Sequence, residues 1–251
     1  IKGNIIEDVN RVFEVFAVDN LDDFFGLKAQ EMELPYYYRK SEKVTANPID
    51  IFSWKYYCYH LAKQDHADLK TFDKDNTEAL TKELNKVFKE NVDTVKKTGE
   101  VLNKYGIRFM IVKKAGQVPV DGMSFWIGEN PTIVITERIA SIDNFAFTTL
   151  HEVGHVYSHL TKDGKAMINL LDEKKNSEET EADHFALNAV IPDAVWKKFL
   201  SKTRDVVPYK IAPYIKEEAD RYEVNPQILF GRYKHDIGVY KIKNYFETRI
   251  L

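Results

Sequence analysis

His151, Glu152 and His155 fall in the order H-E-x-x-H within the stretch FAFTTLHEVGHVYSHL. On a helix, residues i and i+4 share one face, about 6 Å apart. Two imidazoles so placed reach a single tetrahedral ion, at Zn–N distances of about 2.0–2.1 Å. Glu152, adjacent to His151, flanks the same ion and is placed to take a proton from bound water. The pattern points to a zinc site that carries its own general base. The competing reading is two unrelated histidines on a core helix, and a third ligand decides between them.

A histidine six residues past His155 would complete one known type of zinc site, but that position is Thr161. His159 lies one turn beyond His155, about 12 Å along the axis from His151. It is expected to be an interior or surface histidine rather than a ligand. The other source is a carboxylate from a second helix. The stretch EETEADHFA supplies Glu178, Glu179 and Glu181, and the spacing Glu179-x-x-x-Asp183 puts two carboxylates on one face. Glu179 would take the third coordination position while Asp183 accepts a ring N–H from a ligand histidine and fixes its tautomer. Ala182 and Ala186 are small enough for close helix packing. A solvated acidic first turn, which suits the helix dipole, is the bland alternative. The histidine pair tips the balance toward ligation.

These residues need two helices held against a common support. A helix is expected to begin near Ser141–Asp143 and carry the histidines, and another to span EETEADHFALNAV and end at Pro192. Ahead of them IRFMIVK (107–113) reads as a strand, and MSFWIGE and TIVITE flank Asn130–Pro131 as a hairpin. That hairpin either offers an edge to an extended peptide or serves structure alone. Trp126 is expected in the core. The stretch between the two helices, TKDGKAMINLLDEKKNS, reads as a polar loop.

Upstream, Leu80, Leu84, Phe88, Val92, Val95 and Leu102 follow helical spacing. They predict one amphipathic helix, or two broken near Asn91–Asp93, with Asp75 and Glu78 as a capping box and Gly106 as the stop. Residues 1–75 read as an irregular, partly helical connector, with FSWKYYCYH on a helix; residues 76–251 form the main domain. Short helices close the chain, with Pro208, Pro213 and Pro226 near their starts. Within them IKEEADRYEVNPQILFGRYKHD resembles a helix–turn–helix pair whose acidic half suits core packing better than DNA. Strands in the centre with helices on both sides predict an α+β fold.

Composition narrows the classes. The 251 residues are 44% hydrophobic, enough for a packed core, and the formal charge of -3 gives no global attraction for nucleic acid or anionic membranes. The basic pairs Lys113–Lys114 and Lys197–Lys198 and the C-terminal YKIKNYFETRI read as solvated faces. Cys58, the only cysteine, excludes an internal disulfide and a Cys-based zinc cage. No run approaches the roughly 20 apolar residues that span a bilayer, and the first residues lack a signal-peptide pattern. A cytoplasmic protein is expected.

HEVGH followed by E-x-E-A-D-x-F-A and then Ile191–Pro192 resembles the ImmA/IrrE family of zinc metallopeptidases, and GMSFWIGENPTIVITERIASIDNFAFTTLHEVGH continues the likeness upstream. LDDFFGL and PYYYRKS resemble the connector of long members, in which a Cro/repressor-type helix-turn-helix precedes the peptidase. The residues here leave no room for a complete one. The resemblance implies a compact zincin-like, gluzincin-type fold and a site-specific endopeptidase that cuts helix-turn-helix repressors to derepress stress or mobile-element genes. It implies zinc as cofactor, His151, His155 and Glu179 as ligands in preference to Glu181, and Glu152 as the catalytic glutamate. A peptidase-like sensor in a transcription factor or antitoxin, without turnover, is the alternative. A protein partner is expected, with no membrane and no direct DNA contact. For the group that stabilises the oxyanion, Tyr157, His184, Tyr209 and Tyr214 are equal candidates.

Overall fold

The computed structural model describes residues 4–32, 47–113, 118–137, 139–164, 166–170 and 176–250. Among the described residues three helices come first: α1 (Ile5–Phe16), α2 (Leu21–Met32) and α3 (Pro48–Gln64). The sequence marks their starts. Asn4 and Asn47 accept backbone N–H bonds as N-caps, and Pro48 fills the first position of α3. A helical region ahead of the main domain is as expected, and the described part of residues 1–75 holds more helix than its irregular patches suggested. FSWKYYCYH is helical as expected; LDDFFGL lies on α2, and PYYYRKS lies outside the described residues.

Next come α4 (Thr77–Glu90) and α5 (Thr94–Lys104), so the amphipathic stretch is two helices. Asn91 and Asp93 break it, both with left-handed backbone (φ 47° and 50°). The expected capping box is not formed. Asp73, not Asp75, caps the 3-10 turn Lys74–Asn76 that leads into α4, because its carboxylate reaches the Asp75 N–H at 2.9 Å.

Four strands follow: β1 (Arg108–Val112), β2 (Val120–Ile127), β3 (Asn130–Thr136) and β4 (Met167–Leu170). They form one sheet in the order β1-β3-β2-β4, with β1 parallel to β3 and the other pairs antiparallel. Two expectations change here. The hairpin β2–β3 is interior on both sides, so among the described strands the edges are β1 and β4. And β4 occupies part of the stretch expected to be loop, because pairing with β2 satisfies its backbone where its own short pattern does not announce a strand.

The remaining helices are α6 (Ile142–Ser158), α7 (Ser177–Val190), α8 (Asp193–Thr203), α9 (Ala212–Tyr222) and α10 (Pro226–Asp236). Alternation along the strands separates two cores. Ile133 and Ile135 join α6 and the C-terminal helices, whereas Val134, Met123 and Phe125 join α1 and α3 on the opposite face. Helices therefore cover both faces of a small sheet, the α+β arrangement expected. Ile215, Ala219, Leu229 and Phe230 bury the facing sides of α9 and α10 in the first core, as core packing rather than DNA reading requires. Trp126 packs against that core only half-buried, its indole N–H donating to the Gly128 carbonyl at 2.9 Å.

Candidate metal centre

α6 is buried on nearly every side, and its histidines face α7. Close approach of the two helices depends on Gly154. A Cβ there would stand 3.2 Å from the Ala182 Cα and 3.1 Å from the Phe185 ring. With Ala182 and Ala186 buried in the contact, as their size suggested, the first turn of α7 reaches the histidines. That turn is fixed by Asn176, whose side chain accepts from the Glu179 N–H at 2.8 Å.

Glu179 then meets both rings. Its carboxylate oxygens lie 3.2 Å from His151 Nε2 and 3.3 Å from His155 Nε2, and the two Nε2 atoms are 3.0 Å apart. A tetrahedral ion with arms of about 2.0–2.1 Å separates its ligand atoms by roughly 3.3 Å. Each of these separations, the two nitrogen–oxygen ones being to different Glu179 oxygens, is close to that spacing, and the donors, two imidazoles and a carboxylate, are those zinc takes. Glu181 stands outside the triangle, and Glu178 is exposed.

Each ring is oriented from behind. Asp183 accepts from His151 Nδ1 at 2.9 Å, which leaves Nε2 of the neutral ring bare. His155 is held differently. Its Nδ1 is 3.0 Å from His159 Nδ1, and His159 Nε2 is 3.1 Å from Glu181 Oε2. With Glu181 taking the Nε2 proton of His159, the bare Nδ1 of that ring accepts from His155. His159 is interior, as expected, but serves the site through its neighbour. The repeated i, i+4 spacing of His151, His155 and His159 was the available signal.

Glu152 flanks the ligands and lies against the sheet. β2 presents Gly122 and Ser124 there, and a Cβ on Gly122 would stand 2.9 Å from the Glu152 Cγ and Cδ. Glycine therefore makes the niche. Burial pushes the Glu152 carboxyl up to about 8. The Ser124 hydroxyl opposes that rise, yet neither it nor either Glu152 oxygen has a hydrogen-bond partner of good geometry. Burial would also raise Glu179, but hydrogen bonds from His151 and His155 prevail and hold it down at about 2. Burial alone would lower His151; its bonds to Asp183 and Glu179 outweigh that and hold it at about 9. At His155 burial prevails and the value is lowered.

A family model for Peptidase M78, the IrrE N-terminal-like domain, matches residues 102–229. The chain belongs to the M78 peptidase family. The matched segment runs from the end of α5 into α10, so it contains all four strands, α6 and α7 with the whole triangle. No curated protein matches the chain. The four oxyanion candidates are less favoured by their placement. His184 bonds Asp193 at 3.0 Å, Tyr209 and Tyr214 are exposed, and Tyr157 packs its ring on Phe72 at 5.2 Å with a buried, unpartnered hydroxyl. Among the described contacts, none of them joins the triangle.

Proposed function

We propose that this M78 peptidase is a zinc-dependent endopeptidase of the cytoplasm that cuts a helix-turn-helix repressor and so derepresses stress or mobile-element genes. The observation that carries the catalytic part is the conjunction of two things: a zinc-sized triangle of His151, His155 and Glu179, and an unpartnered carboxylate, Glu152, one residue along the same helix. A structural zinc site has no use for a buried carboxylate without a partner, which is costly to keep.

His151, His155 and Glu179 would hold the zinc, which would supply Lewis acidity to water and to a substrate carbonyl. Glu152 would accept the proton of the attacking water and return it to the leaving amine. The Gly122 niche excludes solvent and raises its affinity for protons; a nearby dication lowers it again, toward the neutral range a general base requires. Asp183 and the His159–Glu181 pair keep both ligand rings in the tautomer that presents Nε2. Substrate has a natural seat on β4, an outer strand whose Asn169 pairs with Gly122, the residue against Glu152. An extended peptide added to that edge would run past the base. Residues 76–251 act as the catalytic unit, and α1 and α3 of the preceding region brace the far face of the sheet.

Among the described residues no helix is long and apolar enough to cross a membrane. The repressor substrate rests on the family likeness alone. Its test is incubation of the zinc-loaded protein with repressors encoded beside its gene, read by intact-mass spectrometry. One or few cuts in a repressor are expected, and none with Glu152→Gln; a parent protein that binds zinc and leaves every such repressor whole would remove this substrate class.

A further inference from the structure

A cavity of about 590 Å³ opens beside the metal centre, between the first turns of α6, the middle of α7 and α10. Volumes of about 300–1,000 Å³ are typical of sites that enclose a ligand. Two lining residues already touch the centre. Asp183 accepts from His151, and the Phe147 ring lies 6.1 Å from the His151 ring. Asn144 and Phe147 also line the cavity, and their spacing from His151 puts all three on one face of α6. The cavity therefore follows the face that ends in the ligand.

Its chemistry changes along that run. Phe147, Leu187, Val190 and Ile228 make apolar walls. Farther from the metal stands Asp143, about 12 Å from His151 along the helix axis. Gln227 Nε2 donates to Asp143 Oδ2 at 3.0 Å. The other two oxygens, Asp143 Oδ1 and Gln227 Oε1, are buried with no hydrogen-bond partner, and Gln227 as a whole is 1% exposed. Gly231 admits the carboxylate, since a Cβ there would stand 2.7 Å from Asp143 Oδ2. The cations that share the lining make their hydrogen bonds to other groups, although Arg232 Nε is itself buried without a hydrogen-bond partner. Arg232 donates to Asp193 at 2.8 Å and to the Leu187 carbonyl at 2.8 Å, Lys234 to Asn244 at 3.4 Å, and His235 lies 3.2 Å from Asp236. Among the described residues no cation pairs with Asp143.

Two adjacent buried acceptors, one of them a carboxylate, are costly without a donor. A long basic side chain answers every part of the arrangement. Its aliphatic stem lies on apolar walls, as such stems do, and its charged head reaches acceptors at the far end. The geometry points to this cavity as the pocket for an arginine or lysine side chain of the substrate beside the cleaved bond, with Asp143 and Gln227 as the residues that select it. This rests on the peptidase reading above and adds the chemistry of its substrate. A neutral side chain leaves both acceptors bare, and an acidic one meets the charge of Asp143.

The test has two arms. In the first, the zinc-loaded protein digests a mixture of peptides and mass spectrometry locates the cuts. Arginine or lysine is expected at one fixed position next to them. For an arginine peptide and its norleucine twin, the ratio of kcat/KM values should fall at least tenfold in Asp143→Asn. Cuts with no basic preference, or a ratio that Asp143→Asn leaves unchanged, overturn the pocket. The second arm needs no turnover. Agmatine is titrated at millimolar concentration into Glu152→Gln protein, and amide shifts of Asn144 and Gly231 are followed by NMR. Saturable shifts that Asp143→Asn abolishes are expected. Their absence means that water alone bridges the two acceptors, and the proposal falls. Agmatine bound without cleavage of any peptide sinks the peptidase reading and leaves the cation pocket standing.

Discussion

Glu152 and Glu179 are carboxylates of one centre with opposite proton affinities. Glu152 is enclosed by Gly122 and Ser124 and held at about 8, while two imidazoles hold Glu179 at about 2. Different substitutions at the two should separate their roles. Glu152→Gln keeps the metal and abolishes hydrolysis, because the amide retains shape but accepts no proton; activity within a few-fold of the parent would take Glu152 out of the mechanism. Glu179→Gln should cost most of the zinc affinity and Glu181→Gln much less, read by competition with a chromophoric chelator. Behind His155, His159→Leu should weaken zinc about 10–100-fold, the usual effect of losing a partner of a ligand histidine, and His159→Gln, which still offers an acceptor, should recover part of it. An affinity unchanged in His159→Leu would make that contact incidental. The metal-free protein should also respond to pH. His151 at about 9 against 6.5, and Glu152 at about 8 against 4.5, both bind protons more tightly when folded. A raised folded value gives stability that is complete below the unfolded value and is lost as pH climbs through the folded one. His155, lowered by burial, opposes this with one group against two. Melting temperatures of the metal-free protein should therefore fall between about pH 6.5 and 9, and the gap to the zinc-loaded form should widen. Each kcal/mol amounts to about 2–4 °C in a chain of this size. A gap that narrows over that range would contradict these assignments. At this scale the sequence was informative: H-E-x-x-H and Glu179-x-x-x-Asp183 stated the residues that the fold brings together. His159 was obscured because distance along a helix excludes direct ligation and says nothing of a ring acting through its neighbour.

The elements show where reading by pattern succeeds and where it stops. β2 and β3 are short runs rich in β-branched and aromatic residues on either side of a tight turn, so the hairpin was legible, as was α7 ending at Pro192. β4 was not, because four residues amid Lys, Asp and Gly carry too little pattern, and the partner strand supplies the reason for their conformation. Sheet order was equally hidden, since which strands become edges is fixed by pairing distant in sequence. Strand β2 is also where an element constrains chemistry. Gly122→Ala places a methyl against the Glu152 carboxylate, while the ligand histidines face α7 and make no contact with Gly122. Zinc content should stay at that of the parent and kcat should drop at least about 10²-fold, the scale on which misplacing a catalytic group is felt. Equal loss of metal and activity would mean that the whole helix had shifted instead.

For the molecule as a whole, the charge of -3 bears on partners. Duplex binding needs several Lys or Arg on phosphates and weakens steeply with salt. This chain should show no useful affinity for promoter DNA in titrations at two salt concentrations; salt-sensitive, sequence-selective binding would favour a regulator over a peptidase. The layered arrangement has one more consequence. Met123 and Phe125 face α3, with Phe125 in contact with Tyr59 at 4.6 Å between ring centroids, whereas Gly122 and Ser124 of the same strand wall in Glu152. A single polypeptide thickness thus separates the helices at the front of the chain from the base that would cut a substrate. Such a strand behaves as a membrane between two rooms: pressure on one side is felt on the other, because neither side has slack to absorb it. Phe125→Leu, on the face of β2 turned toward α3 and shielded from solvent, should therefore slow turnover while zinc stays bound, and whatever grips the outer helices acquires a mechanical hold on the rate.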